Sequence, residues 1–415
     1  MSLTRKVLMV LENRPAHLDT RVWPEATALR DQGLQVCIIS PKERTSDAGY
    51  RCLDGIHLYS YSIPTLHNTS LAYLLEYGLS MLQTWWLSLR VLRRHGFDVI
   101  HAANPPDTFF FLHWFYRLLG KRFIFDQHDL SPELLQVKFS GRCTFLQPLL
   151  RWLEKRSYHA ATCVLTTNVS QRKIAIERGQ CDPARVFVVR NGPDLDRLYR
   201  VPVEPELKRG RSLLLVYLGA MEVQDGVEYA LYALHELIYT IGYNDVFLAV
   251  LGDGSQLQAL KQLAHVLDLD GYVHFTGWAD DREIRRYLST ADIGLCPEPR
   301  NGLNEHCTMV KTMEYMALSL PIVAFDLRET RATCQETALY AAPDLVPDFA
   351  RQIARLLDDA RLRHAMGQRA RVLIEEHLSW DYQKRRLWQV YTMLFSARAW
   401  GSPSESALSP NLESL

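Results

Sequence analysis

The feature that most constrains this chain is a regular alternation of short apolar runs with longer helical ones. Residues 6–11, 35–40 and 58–63 read as strands, with a helix at 24–32 between the first two. A long apolar helix at 71–92 leads to a strand at 99–102, a helix at 109–119 and a strand at 123–126. A parallel crossover needs a dozen or more residues and lays its helix on the sheet, so apolar strands separated by helices belong to parallel sheets covered on both faces. The pattern restarts downstream with strands at 213–218, 246–251, 273–276, 293–296 and 322–325, and helices beginning near Gly226, Ser255, Arg282 and Thr308. A polar stretch at 202–211, carrying Pro202 and Pro205, reads as the linker between the two series. With 415 residues the chain also exceeds what one core accommodates. The expected fold class is α/β, two Rossmann-like domains at 1–200 and 201–378 facing each other across a cleft. Helices at 347–357 and 361–378 close the second domain. A helix at 379–398, with an apolar stripe through Trp388 and Tyr391, is expected to cross back to the first domain, and the Ser-, Pro- and Glu-rich tail 402–415 to be disordered.

Charge and cysteine usage narrow the function classes. Lys+Arg and Asp+Glu balance at 47 each, which argues against a nucleic-acid binder and requires any anionic ligand to be met locally. The eight cysteines include no CxxC and read as reduced thiols of a cytoplasmic protein. Basic residues before the apolar run 7–11 resemble a signal peptide only superficially. Glu12 and Asn13 break the run at once, so it reads as a first buried strand. The helix at 71–92 carries Glu76, Gln83 and Arg90, which argues against a membrane span. Two readings remain open for it. It packs inside the first domain, or, with Trp85 and Trp86 beside Arg90, Arg93 and Arg94, it rests on anionic lipid and gives a peripheral contact through 71–94 at the inner face of a membrane.

In such sheets ligands bind beyond the carboxyl ends of strands, where loops enter helix N-termini that offer N–H groups and partial positive charge. Gly219 ends one strand and Gly252 the next, as turn or as binding glycines. Neither lies in a GxGxxG, which weakens a nicotinamide-enzyme reading. The most informative stretch is 297–326. Its helix carries Lys311 and Glu314 three residues apart on one face, so a cation can reach a diphosphate while the carboxylate accepts from ribose hydroxyls. An ordinary exposed ion pair accounts for the same charge pattern. In the first half, the strand ending at Asp126 is followed by His128 and Asp129. His128 can exchange a hydrogen bond with a sugar hydroxyl near neutral pH, and Asp129 can orient it or touch an acceptor. Asp19 and Arg21 either face an anionic or hydroxylated acceptor or cap the following helix. His101 and His113 read as structural. There is no HxxxH pair, and the Asp-x-Asp runs at 194–196 and 268–270 are not read as marking a metal-held diphosphate, so metal-independent chemistry without a cofactor is expected.

The Pro-containing strand end and the helix reading KTMEYMALSLPIVAFD resemble the nucleotide-sugar site of the large retaining glycosyltransferase family 4, a two-domain type that includes bacterial mannosyl- and N-acetylglucosaminyltransferases. Other stretches are similar to that family in the same order: Asp19 and Arg21 with Glu25 and Gly33, the run Asn191 to Asp194, then LGDGSQLQALKQLA, VHFTGWADDREI and ADIGLCP, up to about Arg398. The resemblance implies a nucleoside-diphosphate sugar donor, a saccharide or lipid-linked saccharide acceptor and retention at the anomeric carbon. It implies donor contacts from Gly219, Gln224, Asp225, Gly252, Arg300, Thr308, Met309, Lys311 and Glu314, acceptor contacts from Asp19, Arg21 and Asp129, and catalytic roles for His128 and His306. The chain departs from the family in two places. Of the family's two glutamates with seven residues between, Glu314 fits the second, but His306 occupies the first position with Glu305 one residue earlier. The basic pair that usually follows the first strand of the second domain is missing from Gly219 to Gly226, which leaves Lys311 to neutralise the diphosphate. A sugar-nucleotide epimerase and a non-catalytic sugar-nucleotide-binding protein remain alternatives.

Overall fold

The computed structural model describes residues 4–43, 49–62, 70–138 and 144–396. The tail 402–415 and Cys143 lie outside them. The described residues form two compact units, one of residues up to Asn191 with the segment from Lys384 onward, the other Gly192–Gln383. The passage between them at Asn191 and Gly192 lies upstream of 202–211, which does not act as a free linker. Within the second unit the Val201 and Glu204 amides donate to the Ser289 and Thr290 hydroxyls, both at 3.0 Å, and the Glu204 carboxylate pairs with Arg286. Those bonds dock the polar segment against the unit.

The sheet of the first unit contains β1 (Lys6–Val10), β2 (Gln35–Pro41), β3 (Gly49–Leu53), β4 (Ile56–Tyr61), β5 (Val99–Ala103), β6 (Arg122–Gln127), β7 (Cys163–Thr166) and β8 (Val186–Val188), in the order β3-β4-β2-β1-β5-β6-β7-β8. Every pairing is parallel except β3 with β4, so the sheet is mixed rather than purely parallel. Asp54 and Gly55 explain the exception. Both hold positive φ, 49° and 78°, as a two-residue hairpin turn with the right twist requires. Alternate residues of β1 bury on opposite faces, Val7 and Met9 in one core and Leu8 and Val10 in the other, which is why the strand is apolar throughout. The helix Trp380–Phe395 places Leu387, Val390, Tyr391 and Leu394 in the core that holds Val7 and Met9.

The second unit holds β9 (Leu213–Leu218), β10 (Val246–Leu251), β11 (Val273–Gly277), β12 (Ile293–Cys296), β13 (Ile322–Phe325) and β14 (Ala338–Ala341), all parallel, in the order β11-β10-β9-β12-β13-β14. Strand order reverses between β9 and β12 here, and between β1 and β5 in the first unit. At such a reversal the flanking loops leave toward opposite faces and open a crevice at the carboxyl ends.

Candidate functional site

In the second unit β9 and β12 pair only as far as Val216 and Gly294, then part. The Tyr315 hydroxyl fills the gap, accepting the Leu218 N–H at 2.8 Å and donating to the Leu295 carbonyl at 3.2 Å. A Cβ on Gly294 would lie 2.5 Å from the Tyr315 ring, so glycine is what seats it. Tyr315 thereby fixes the helix Val310–Ala317 against the strand ends, and Lys311 with it.

Lys311 is buried. Its ammonium bonds the Tyr217 hydroxyl at 3.0 Å, lies 4.3 Å over that ring, pairs with Glu298 and stands 3.9 Å from Asp225. Burial disfavours the charge, but Glu298, Tyr217 and Asp225 together outweigh it and hold the pKa well above the ordinary lysine value. Glu298 is only 1% exposed, and its second oxygen accepts from Cys296 Sγ at 2.8 Å. Burial pushes Asp225 up to about 6 against the pull of Lys311. Lys311 is therefore a cation already balanced by a buried carboxylate, not an isolated charge awaiting a diphosphate. Above it two strand-end loops meet closely. Gly252 has φ +134°, and a Cβ there would sit 1.8 Å from the Gly219 carbonyl oxygen, while one on Gly219 would sit 2.9 Å from Lys311 Cε.

The other expected donor residues fall around this cluster. The Gln224 carbonyl accepts from Asn304 Nδ2 at 2.9 Å, tying the loop after β9 to the loop after β12. Thr308 and Met309 lead into the helix, and the Met309 carbonyl accepts from the Thr312 hydroxyl at 2.6 Å. His306 is half-buried at the end of the 3₁₀ turn Asn304–His306. Glu314 and Lys311 do not pair with each other. Glu314 accepts from Arg197 at 3.0 Å, and Arg197 also binds Asp281 at 2.5 Å. Burial raises the Glu314 pKa, with Arg197 opposing. Arg300, expected as a donor contact, is 52% exposed, pairs with Glu305 at 2.7 Å and donates to the Asp326 carbonyl at 3.0 Å.

In the first unit the β6 end brings Asp126 to the centre of a buried network. Its carboxylate accepts two bonds from Arg21, at 2.6 and 3.0 Å, and one from His128 Nε2 at 2.7 Å. Arg21 also pairs with Glu25 at 3.3 Å and donates to the Val189 carbonyl and Asn191 Oδ1, both at 2.7 Å. In this structure the Arg21 guanidinium directs its nitrogens to Asp126, Glu25, Val189 and Asn191, all inside the protein. Asp19 caps the helix Val22–Asp31 by accepting the Arg21 and Val22 amides at 2.9 and 2.7 Å. His128 keeps 18% of its side chain exposed. Burial opposes its charge, yet Asp126 outweighs burial and raises the imidazole above the ordinary histidine value. Asn104 pins the loop by accepting the His128 and Asp129 amides at 2.6 and 3.2 Å and donating to the Asp129 carbonyl at 2.8 Å. Glu25, His101 and Asp126 bring three ligand atoms within 4.8 Å, a spacing that suits a metal, but Arg21 already supplies positive charge to both carboxylates there. His101 Nδ1 bonds the Tyr391 hydroxyl at 2.8 Å, and His113 stacks on Phe123 at 5.1 Å, so both are packed within the fold.

Sequence reasoning gave no role to Glu298, Arg197, Asn104 or Asp126. Asp126 stood in the strand-end run with His128, and Glu298 stood between two prolines at the end of β12. That position was the available signal.

Residues 18–192 match the family described as glycosyl transferase 4-like domain, and residues 212–359 the family described as glycosyl transferases group 1. The alpha-D-kanosaminyltransferase of Streptomyces kanamyceticus is 25% identical over 281 residues, covering 65% of this chain and 70% of that protein. Among solved structures, sucrose-phosphate synthase of Thermosynechococcus elongatus superposes with a TM-score of 0.76 at 18% identity, covering 95% of this chain and 100% of that one. Anabaena HepE, solved in complex with UDP and glucose, gives 0.69 at 12% identity, with coverage of 94% and 99%.

Proposed function

The chain belongs to the family 4 type of glycosyltransferases, whose two domain families together span most of its length, and on that premise we propose that it moves a hexosyl group from a nucleoside-diphosphate sugar to a saccharide or lipid-linked saccharide, with retention at the anomeric carbon. The observation that carries the donor reading is Lys311, kept charged beneath the Gly219 and Gly252 loops at the β9/β12 reversal, next to a helix N-terminus. Bond breaking leaves negative charge on the departing diphosphate. A helix N-terminus and a fixed ammonium stabilise that charge most in the transition state, where it is largest. In this reading Thr308, Met309 and Lys311 serve the diphosphate, Glu314 the ribose, and Asp225 and Gln224 the sugar, with no metal or cofactor in the donor complex. His128 and Asp129 serve the acceptor, and His306 stands where the family carries a glutamate. UDP and glucose in Anabaena HepE support a nucleotide sugar as donor. Retention rests on the family likeness alone.

Calorimetric titration with UDP-, GDP- and ADP-sugars, in the wild type and in Lys311→Ala, tests the donor reading. One nucleotide sugar should bind, and the substitution should weaken it about tenfold or more. Absence of binding by every donor at millimolar concentration sinks the reading. Conversion of the bound donor to an epimer without acceptor would favour an epimerase.

A further inference from the structure

Three helices of the first unit turn apolar residues outward. On the helix Phe110–Tyr116 and the turn Arg117–Leu119, the residues Phe111, Trp114, Phe115 and Leu118 are exposed at i, i+3, i+4 and i+7, a stripe that in a soluble helix faces the core. The inward face is already filled by Phe110, Leu112 and Tyr116, all buried, so the outer stripe is additional. On the helix Ser70–Arg94, Leu79, Leu82 and Trp86 repeat the spacing, and Trp86 is 57% exposed. Leu149 and Trp152 do the same on the helix Gln147–Ala160.

Ring contacts join the three. Trp85 meets Phe115 at 6.1 Å between centroids, and Phe110 meets both Trp114 at 5.2 Å and Trp152 at 6.2 Å. The Ser88 and Tyr116 hydroxyls bond at 2.8 Å beneath them. A connected aromatic surface of this kind marks an interaction site rather than scattered exposure.

Charge selects the occupant. No Asp or Glu occurs in 77–97, 108–125 or 144–153. Glu154, the first acid after the last of these runs, is buried and paired with Arg178 at 2.6 Å. The same helices carry exposed Arg90, Arg93, Arg117 and Arg151. Trp86 and Leu89 with Arg90, Arg93 and Arg94 line a shallow hollow of about 450 Å³. Among the described residues no helix is long and apolar enough to cross a membrane. Tryptophans set among arginines suit the headgroup layer, where the rings enter the acyl boundary and the guanidinium groups meet phosphate.

We propose that the outer face of these three helices is a docking surface for an anionic lipid bilayer, on which the first unit lies without spanning it. A second copy of this chain would bring arginine against arginine, which the charge pattern disfavours. The surface shares no residue with the strand-end clusters, so its test stands apart from the sugar-transfer reading.

Flotation of the full chain with vesicles of pure phosphatidylcholine, and with vesicles containing phosphatidylglycerol, tests the proposal. Binding is expected to the anionic vesicles, weakening by about tenfold or more on raising the salt concentration. Leu118→Glu, at a side chain 80% exposed, combined with Trp86→Ser should abolish it while the circular dichroism spectrum stays unchanged. Should that pair unfold the chain, Arg93→Glu with Arg117→Glu leaves the apolar stripe intact and must still weaken binding. Failure to float with anionic vesicles overturns the proposal, as does unchanged binding in folded variants. So does sedimentation showing a dimer that the same substitutions dissociate, because the face would then belong to a second copy.

Discussion

In the first unit the buried cation at the strand reversal is Arg21, sunk beneath Asp126 and Glu25 with its remaining nitrogens on Val189 and Asn191. In the second unit it is Lys311, set at the start of a helix below the Gly219 and Gly252 loops, with Glu298, Tyr217 and Asp225 around it. Each unit thus places a cation among carboxylates at the same topological position. Arginine's planar fork is used up by several fixed acceptors and locks a network, leaving His128 as the group that reaches solvent. Lysine's point charge is balanced by Glu298, and glycine at 219 is what lets the loop backbone pass close over it. The difference teaches that a strand-end cation is read by its partners and not by its charge.

The comparison breaks most easily at Arg21. Arg21→Met should cost about 3–5 kcal/mol of stability in denaturant unfolding, because two buried carboxylates lose their partner. A loss under about 1 kcal/mol would mean the network is not holding the first unit together. At Lys311 the matching test is a double-mutant cycle. Lys311→Met and Glu298→Gln should each cost about 3 kcal/mol, and the double variant clearly less than their sum. Additive costs would separate the pair. His128→Ala sharpens the contrast with Arg21, since it should lower kcat about 100-fold while changing stability by under about 1 kcal/mol. Steady-state kinetics and thermal unfolding on the same preparations decide it.

The smallest effect is a pH dependence. The folded pKa of His128 lies above its ordinary value of 6.5, so its pair with Asp126 adds stability that is fully present below pH 6.5 and fades as pH rises through the folded value. The stability gap between wild type and His128→Ala, measured from about pH 5.5 to pH 9, should narrow toward the alkaline end. A gap that is flat, or that widens, contradicts the assigned direction.

Much of the fold was legible because it rests on local pattern. Strand runs such as Leu213–Leu218 and Val246–Leu251 are apolar at every position, which only a sheet covered on both faces allows. The Asp54-Gly55 hairpin is equally local, but an antiparallel edge strand breaks the alternation of strand and helix and so does not show in that rhythm. Polarity and proline make 202–211 read as a linker, whereas the compact units part at Asn191 and Gly192 and packing binds 202–211 to Ser289, Thr290 and Arg286.

For the candidate site, the sequence by itself determined which segments stand at the strand ends, and so brought Gly219, Gly252, Lys311, Glu314 and His128 into consideration. Tertiary structure alone decided the partners. Lys311 and Glu314, three residues apart, turned to different neighbours, Glu298 and Arg197, because helix spacing fixes which residues share a face and says nothing of what the opposing elements present to it. Arg21 lies 105 residues from Asp126 in the chain, yet the two meet at 2.6 Å. Electrostatic energy falls with distance in space and rises with burial, and neither quantity is written along a sequence.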